Sequence, residues 1–173
     1  MKFRVLAGFF VVMGLGIMIY LTYLHYANAQ SFCDFSQEVS CDIVTTSIYS
    51  EVFGVPVSLL GIGFFIFLLV LLIFDKKESV FRTVFFLTVF MLIPSLYLTL
   101  IEAFEINSFC VLCETSKAMM IGILAVSCIA IRAHRLSLAF REIIPIIIAG
   151  ILSVGIIFFA QSGGGTKKDY SEL

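Results

Sequence analysis

The chain has 173 residues, of which 61% are hydrophobic and 13% charged, with a formal net charge of -1 and a mean hydropathy of +1.11. An apolar share far above the roughly 45–50% of soluble domains excludes an ordinary water-soluble fold. A charge so near zero also excludes a nucleic-acid surface.

A hydrocarbon core of about 30 Å takes roughly 20 apolar residues to cross as a helix. Five segments approach that length, at about 5–23, 55–74, 83–101, 109–131 and 143–160. Lys2 and Arg4 ahead of the first run imitate a signal peptide. The run exceeds a signal's apolar region, however, and passes into Tyr20, Tyr23 and Tyr26, an interfacial aromatic cluster, so it reads as a retained span. The first long polar stretch, an outer loop at 28–54, carries Asp34, Glu38, Asp42 and Glu51 and no Lys or Arg. Within it Val39, Ile43, Val44, Ile48 and Val52 recur at roughly helical spacing. That fits an amphipathic lid on the membrane surface, and equally a solvated loop with scattered apolar residues. Pro56 suits the first turn of the second span, and Pro145 is assigned the same part in the fifth. Pro94 falls inside the third span, where it removes a backbone donor and predicts a kink.

Orientation follows from the basic residues. Lys2, Arg4, Lys76, Lys77, Arg82, Arg132, Arg135 and Arg141 all flank the spans on one side, whereas the two opposite loops have none. The bias places the N-terminus inside and the C-terminus outside. After the fifth span, Gln161-Ser162-Gly163-Gly164-Gly165 predicts a flexible linker, so 161–173 reads as a C-terminal tail bearing Lys167 and Lys168. The predicted architecture is thus an all-α integral membrane domain over 1–160.

Four of the five cysteines fall on the outer side, where disulfides persist. Cys110 and Cys113 form a C-x-x-C at the start of the fourth span. Residues three apart share a helix face and can be bridged. A helix N-terminus offers partial positive charge and free N–H groups, which favour thiolate, the species that exchanges disulfides. Cys33 and Cys41 enclose seven residues; so short a loop gains little chain entropy from a bridge, which suits a mobile redox pair better than a staple. Two static disulfides remain the plain alternative. A four-cysteine metal site is disfavoured because the first pair is too widely spaced for zinc. Cys128, about 22 Å deeper along the helix than Cys113, reads as an apolar filler. Glu114 and Lys117 follow the C-x-x-C on its own side of the helix, as functional ionisable groups or as a snorkelling surface pair. His25 and His134 read as interface markers at opposite ends of the bundle.

The run Cys33-x7-Cys41, then Ser47, then Gly54-Val55-Pro56-Val57-Ser58-Leu59-Leu60-Gly61, then Cys110-Val111-Leu112-Cys113 resembles the vitamin K epoxide reductase family, including its bacterial and archaeal members. The resemblance covers about residues 3–131 and implies a four-helix bundle around a quinone, of the ubiquinone or menaquinone class, with the fifth span as an extra helix. It further implies that Cys110 and Cys113 are the catalytic pair, with Cys113 nearest the quinone. Cys33 and Cys41 correspond to a shuttle pair, with Cys41 attacking Cys110. Ser47 matches a serine near the active site; given such a site, the Lys117 cation is placed to stabilise a Cys113 thiolate or a reduced quinone oxygen. Animal epoxide reductases carry Tyr where this chain has Lys117, which points toward simple quinone reduction. Many prokaryotic members carry a fused thioredoxin-like domain; here the sequence stops after the glycine linker, so a thioredoxin-fold, DsbA-like partner is expected either as a separate protein or beyond the given sequence.

The implied activity is disulfide generation, with electrons passing from that partner through Cys33/Cys41 to Cys110/Cys113 and on to quinone at the extracytoplasmic face of the plasma membrane. One alternative is the unrelated DsbB-like quinone-coupled family, in which the two cysteine pairs occur in the reverse order. Another is a non-enzymatic membrane subunit with structural disulfides. A transporter lacks support, because no broken helix pair or midplane charge cluster is present.

Overall fold

The computed structural model describes residues 2–27, 31–33, 39–133 and 140–163, except the side chains of Ile48, of 140–143 and of 160–163. Asp34, Glu38, His134, Arg135, Lys167 and Lys168 therefore lie outside the described residues, as does the tail from 164 on. The elements in chain order are α1 (Lys2–Ala27), α2 (Cys41–Thr46), a 3₁₀ turn (Ile48–Ser50), β1 (Glu51–Val52), β2 (Val55–Pro56), α3 (Val57–Phe74), α4 (Val80–Ile101), α5 (Val111–Ala133) and α6 (Phe140–Gly163). A π turn, Glu102–Ile106, extends α4 toward the C-x-x-C.

Four helices among the described residues are long and apolar enough to cross a membrane: Lys2–Ala27, Val57–Phe74, Val80–Ile106 and Val111–Ala133. The fifth apolar stretch, Ile144–Phe159, falls short of that length by itself. It belongs to a helix that begins at Phe140, so Pro145 lies within α6 and not at its start. The sequence assignment of Pro145 is corrected accordingly: five residues ahead of it already have helical backbone. Pro94 likewise sits within a continuous α4, and it is buried.

α1 is the hub of the bundle, packing against α3 on one side and α5 on the other, while α4 packs between α5 and α6. In lipid, helices gain little from apolar burial against one another, so close packing must hold them. Gly14 supplies it between α1 and α3, since a Cβ there would lie 2.4 Å from the Phe65 ring. Gly122 lets α5 close on Phe10 of α1 in the same way, at 2.9 Å. The main core fills the mid-bundle with Ala7, Val11, Phe65, Leu68, Phe81, Val84, Ile123 and Ala130.

One end of the bundle gathers Lys2, Arg4, Lys76, Lys77, Arg82 and Arg132 at helix termini. There the Arg4 guanidinium donates to the carbonyls of Leu72 (3.1 Å) and Asp75 (2.7 Å). It thereby satisfies acceptors that the last turn of α3 leaves free. The opposite end carries both cysteine pairs and exposed Tyr23 and Tyr26.

The outer segment is neither a single amphipathic lid nor a bare loop. Its helical portion is α2 alone, capped by the Ser40 hydroxyl, which accepts from the Ile43 N–H at 3.2 Å. A tight hairpin follows, pairing Glu51 with Pro56 and Val52 with Val55. Its turn residues Phe53 and Gly54 have φ of 54° and 77°, the positive values that a two-residue turn of primed type requires. Val44 and Val52 point inward while Ile43 is exposed, so the expected apolar face is only partly realised.

Enlarging Gly14 tests the α1–α3 contact. Gly14→Leu should lower unfolding stability in detergent by about 1–3 kcal/mol, read by thermal or denaturant unfolding, whereas Gly8→Leu, where a Cβ meets nothing within 4 Å, should leave it nearly unchanged.

Candidate active site

The cysteine end is built by three backbone devices. Asn107 takes a left-handed conformation (φ 52°) that ends the π turn, a role Asn tolerates well. The chain then enters α5 with Cys110 as its first partner: the Glu114 N–H bonds the Cys110 carbonyl at 3.0 Å. The Cys113 N–H also donates to Cys110 Sγ at 3.2 Å. Sulfur here occupies the place an N-cap oxygen normally fills, satisfying a helix-terminal donor. A sulfur accepts such a bond best when it carries charge.

Cys33 and Cys41 are disulfide-bonded, with Cα atoms 5.8 Å apart. Cys110 and Cys113 are not bonded to each other. The two pairs nevertheless share one buried cluster: Leu21, Leu24, Cys33, Cys41, Val44 and Cys110, with Cys113 and Leu112 packed against it. Cys41 and Cys110 have no solvent exposure at all. The outer segment is tied down around them. Both carboxylate oxygens of Asp42 accept from the Ser31 N–H at 3.1 Å. His25 Nδ1 lies 2.8 Å from the Thr45 carbonyl, and its Nε2 lies 3.2 Å from Glu51.

Beneath this cap lies a cavity of about 680 Å³, counting the part open at its mouth. Met18, Leu21, Val44, Val57, Leu98, Ile101 and Ile106 give it apolar walls; Cys113, Lys117, Ser47, Ser116, His25 and Glu102 supply polar groups. Ser47 is itself bonded to the Val44 carbonyl (2.8 Å), which fixes its hydroxyl on the wall. The Ser58 hydroxyl on α3 pairs with Thr22 on α1 at 2.9 Å, tying together two helices that flank the cavity.

Lys117 settles the choice between a snorkelling and an inward ammonium. Its residue is only 7% exposed, and its Nζ donates to Glu114 Oε1 at 2.5 Å and to the Thr99 hydroxyl. Glu102 Oε1 stands 4.0 Å away. Glu102 is itself buried, and its other oxygen accepts from the Cys110 N–H at 3.3 Å. Thr99 completes the network by donating to Glu114 at 3.2 Å. One ammonium is thus shared by two carboxylates beside the C-x-x-C.

The site therefore unites every residue the sequence singled out for it: Cys33, Cys41, Cys110 and Cys113 in one cluster, and Cys113, Ser47 and Lys117 on one cavity wall. Cys128 is absent from that cluster and from the cavity lining. Two members escaped sequence reasoning. His25, read as an interface marker, instead latches the cap and lines the cavity. Glu102, assigned to the loop after the third span, lies on a helical turn that continues it. Its signal was the apolar run Ala103, Phe104 and Ile106, which resumes beyond it.

An apolar helix bundle with a cavity, a dithiol at a helix start and a second cysteine pair above it defines a membrane-embedded thiol–disulfide site. The chain belongs to the vitamin K epoxide reductase family, whose sequence pattern matches residues 5–128. It is accordingly an integral membrane disulfide oxidoreductase. No curated protein matches it.

Buried pairing predicts a strong asymmetry. Lys117→Met leaves the Glu102 carboxylate uncompensated and should cost about 3–5 kcal/mol of stability. Adding Glu102→Gln to that variant should restore much of the loss, as read in a double-mutant cycle of unfolding in detergent.

Proposed function

We propose that the protein is a thiol:quinone oxidoreductase that generates disulfides. In this reading five spans cross the plasma membrane with the N-terminus inside, and both cysteine pairs lie on the extracytoplasmic face. The carrying observation is the convergence of both pairs in one buried cluster, with Cys113 and Lys117 on the wall of one apolar cavity. The clustering of basic residues at the opposite end of the bundle supports the orientation.

The cavity fits a quinone headgroup on its chemistry: apolar walls suit a planar ring, while the Lys117 ammonium, the Ser47 hydroxyl and His25 offer partners for ring oxygens. A bound quinone of the ubiquinone or menaquinone class supplies the electron sink, accepting two electrons and two protons per turn. The chain's own chemistry precedes it. A thioredoxin-fold partner, reduced by its clients, attacks the Cys33–Cys41 disulfide and leaves as a disulfide itself. The freed Cys41 thiolate attacks Cys110; the Cys41–Cys110 bond forms, the Cys110–Cys113 bond breaks, and Cys113 departs as a thiolate on the cavity wall. Cys33 then attacks Cys41, restoring the outer disulfide and freeing Cys110. Cys110 and Cys113 finish as a disulfide once their two electrons have left. Each handover moves α2, so the cap works as a gate. Lys117 places a cation where Cys113 and a reduced oxygen carry negative charge.

The decisive experiment is thiol trapping. Cys113→Ser should accumulate a Cys41–Cys110 linkage in membranes, detected by non-reducing peptide mapping, and should abolish quinone reduction by purified protein supplied with a reduced thioredoxin-fold protein. Absence of that linkage, with both pairs remaining oxidised in quinone-depleted membranes, supports inert structural disulfides instead.

A further inference from the structure

Two protons must accompany the two electrons, and the relay of sulfurs does not by itself say what holds them inside an apolar bundle. Glu102 has the placement for it. Its side chain is 6% exposed; one oxygen accepts from the Cys110 N–H (3.3 Å) and the other faces Lys117 Nζ (4.0 Å). It lines the same cavity as Cys113. Two carboxylates, Glu102 and Glu114, surround one ammonium. Such a trio carries one excess negative charge when fully ionised, and a thiolate formed beside it on reduction of the disulfide adds a second, which favours taking up a proton at that moment. Glu114 is 40% exposed at its side chain, so the network runs from the buried acid toward the surface through Lys117 and Thr99.

We propose that Glu102 is the proton-carrying group of the active site, holding one proton beside Cys113 while the dithiol is reduced and releasing it into the cavity when the disulfide re-forms. The inference rests on the quinone-reductase reading for its second half only. Reduction of the Cys110–Cys113 disulfide takes up two electrons and two protons, leaving Cys110 as the thiol, Cys113 as the thiolate and Glu102 as the carboxylic acid. On reoxidation the two sulfurs lose two electrons and form the S–S bond. One proton leaves Glu102 and one leaves Cys110; both pass to the quinone, which becomes the quinol. Glu102 ends as it began, a carboxylate paired with Lys117. Cys110 ahead of α5, Cys113, Glu114 and Lys117 on it, His25 of α1 and Tyr49 of the cap are the titratable groups nearest to it among the described residues.

Redox-difference infrared spectroscopy reads the first half without any quinone. Chemical reduction of the Cys110–Cys113 disulfide in the purified protein should add a protonated-carboxyl stretch that shifts in heavy water. The band should vanish in Glu102→Gln, persist in Glu114→Gln and move in frequency in Glu102→Asp. A purely structural Glu102 produces no such band. Quinone reduction driven by a reduced thioredoxin-fold protein should then fall about 100-fold in Glu102→Gln, as expected for loss of a positioned proton donor, with partial recovery in Glu102→Asp. The proposal is overturned if no carboxyl band appears on reduction, if the band survives Glu102→Gln, or if that variant turns over within threefold of the parent. Should Glu102→Gln fail to fold, an unshifted band in Glu102→Asp overturns it equally. If the parent protein reduces no quinone yet shows the band, the functional reading fails while proton uptake by Glu102 stands.

Discussion

An ammonium two turns inside an apolar bundle has to be neutralised where it lies, because moving it unpaired into low dielectric is prohibitive. Lys117 meets that demand with Glu114 one turn away on its own helix and with Glu102 across from α4. The rest of the cysteine end depends on that second partner. To present Glu102 inward, α4 continues as a π turn rather than breaking at Ile101, and π turns of this kind are frequent at functional sites. The same carboxylate then accepts the Cys110 amide, fixing where α5 begins and hence where the C-x-x-C faces. Charge pairing, helix geometry and sulfur placement are one construction.

The apolar runs made most of the scaffold readable. The expected spans at 55–74, 83–101 and 109–131 correspond to α3, α4 and α5 within a few residues, because composition decides membrane helices with little help from context. The first span extends further than expected at both ends, since the aromatic stretch through Tyr26 keeps helical backbone. The four cysteines were legible from spacing and from the side of the bundle that their loops occupy. What composition cannot convey is which polar residue of a connecting segment turns inward. Glu102 and His25 were passed over for that reason: nothing local distinguishes a buried acid at a helix end from a solvated one, and only the partners contributed by α2, α5 and the hairpin make the difference.

The cap shows the same limit from the other direction. Its apolar residues recur at helical spacing, yet only Ile43 and Val44 of them fall in α2, which is six residues long; the Phe53-Gly54 turn then reverses the chain into Pro56 and α3. The short hairpin gives the segment a fixed return point, while Asp42 and His25 hold its body by a handful of polar contacts.

The near-complete enclosure of Cys33, Cys41 and Cys110 decides which thiols can exchange with them. With the cap down, a bulky thiol diffusing past meets none of these three sulfurs. Traffic is limited to visitors able to pry the cap open. Insulation of this sort makes the wiring selective by burial, without any recognition of the stray molecule.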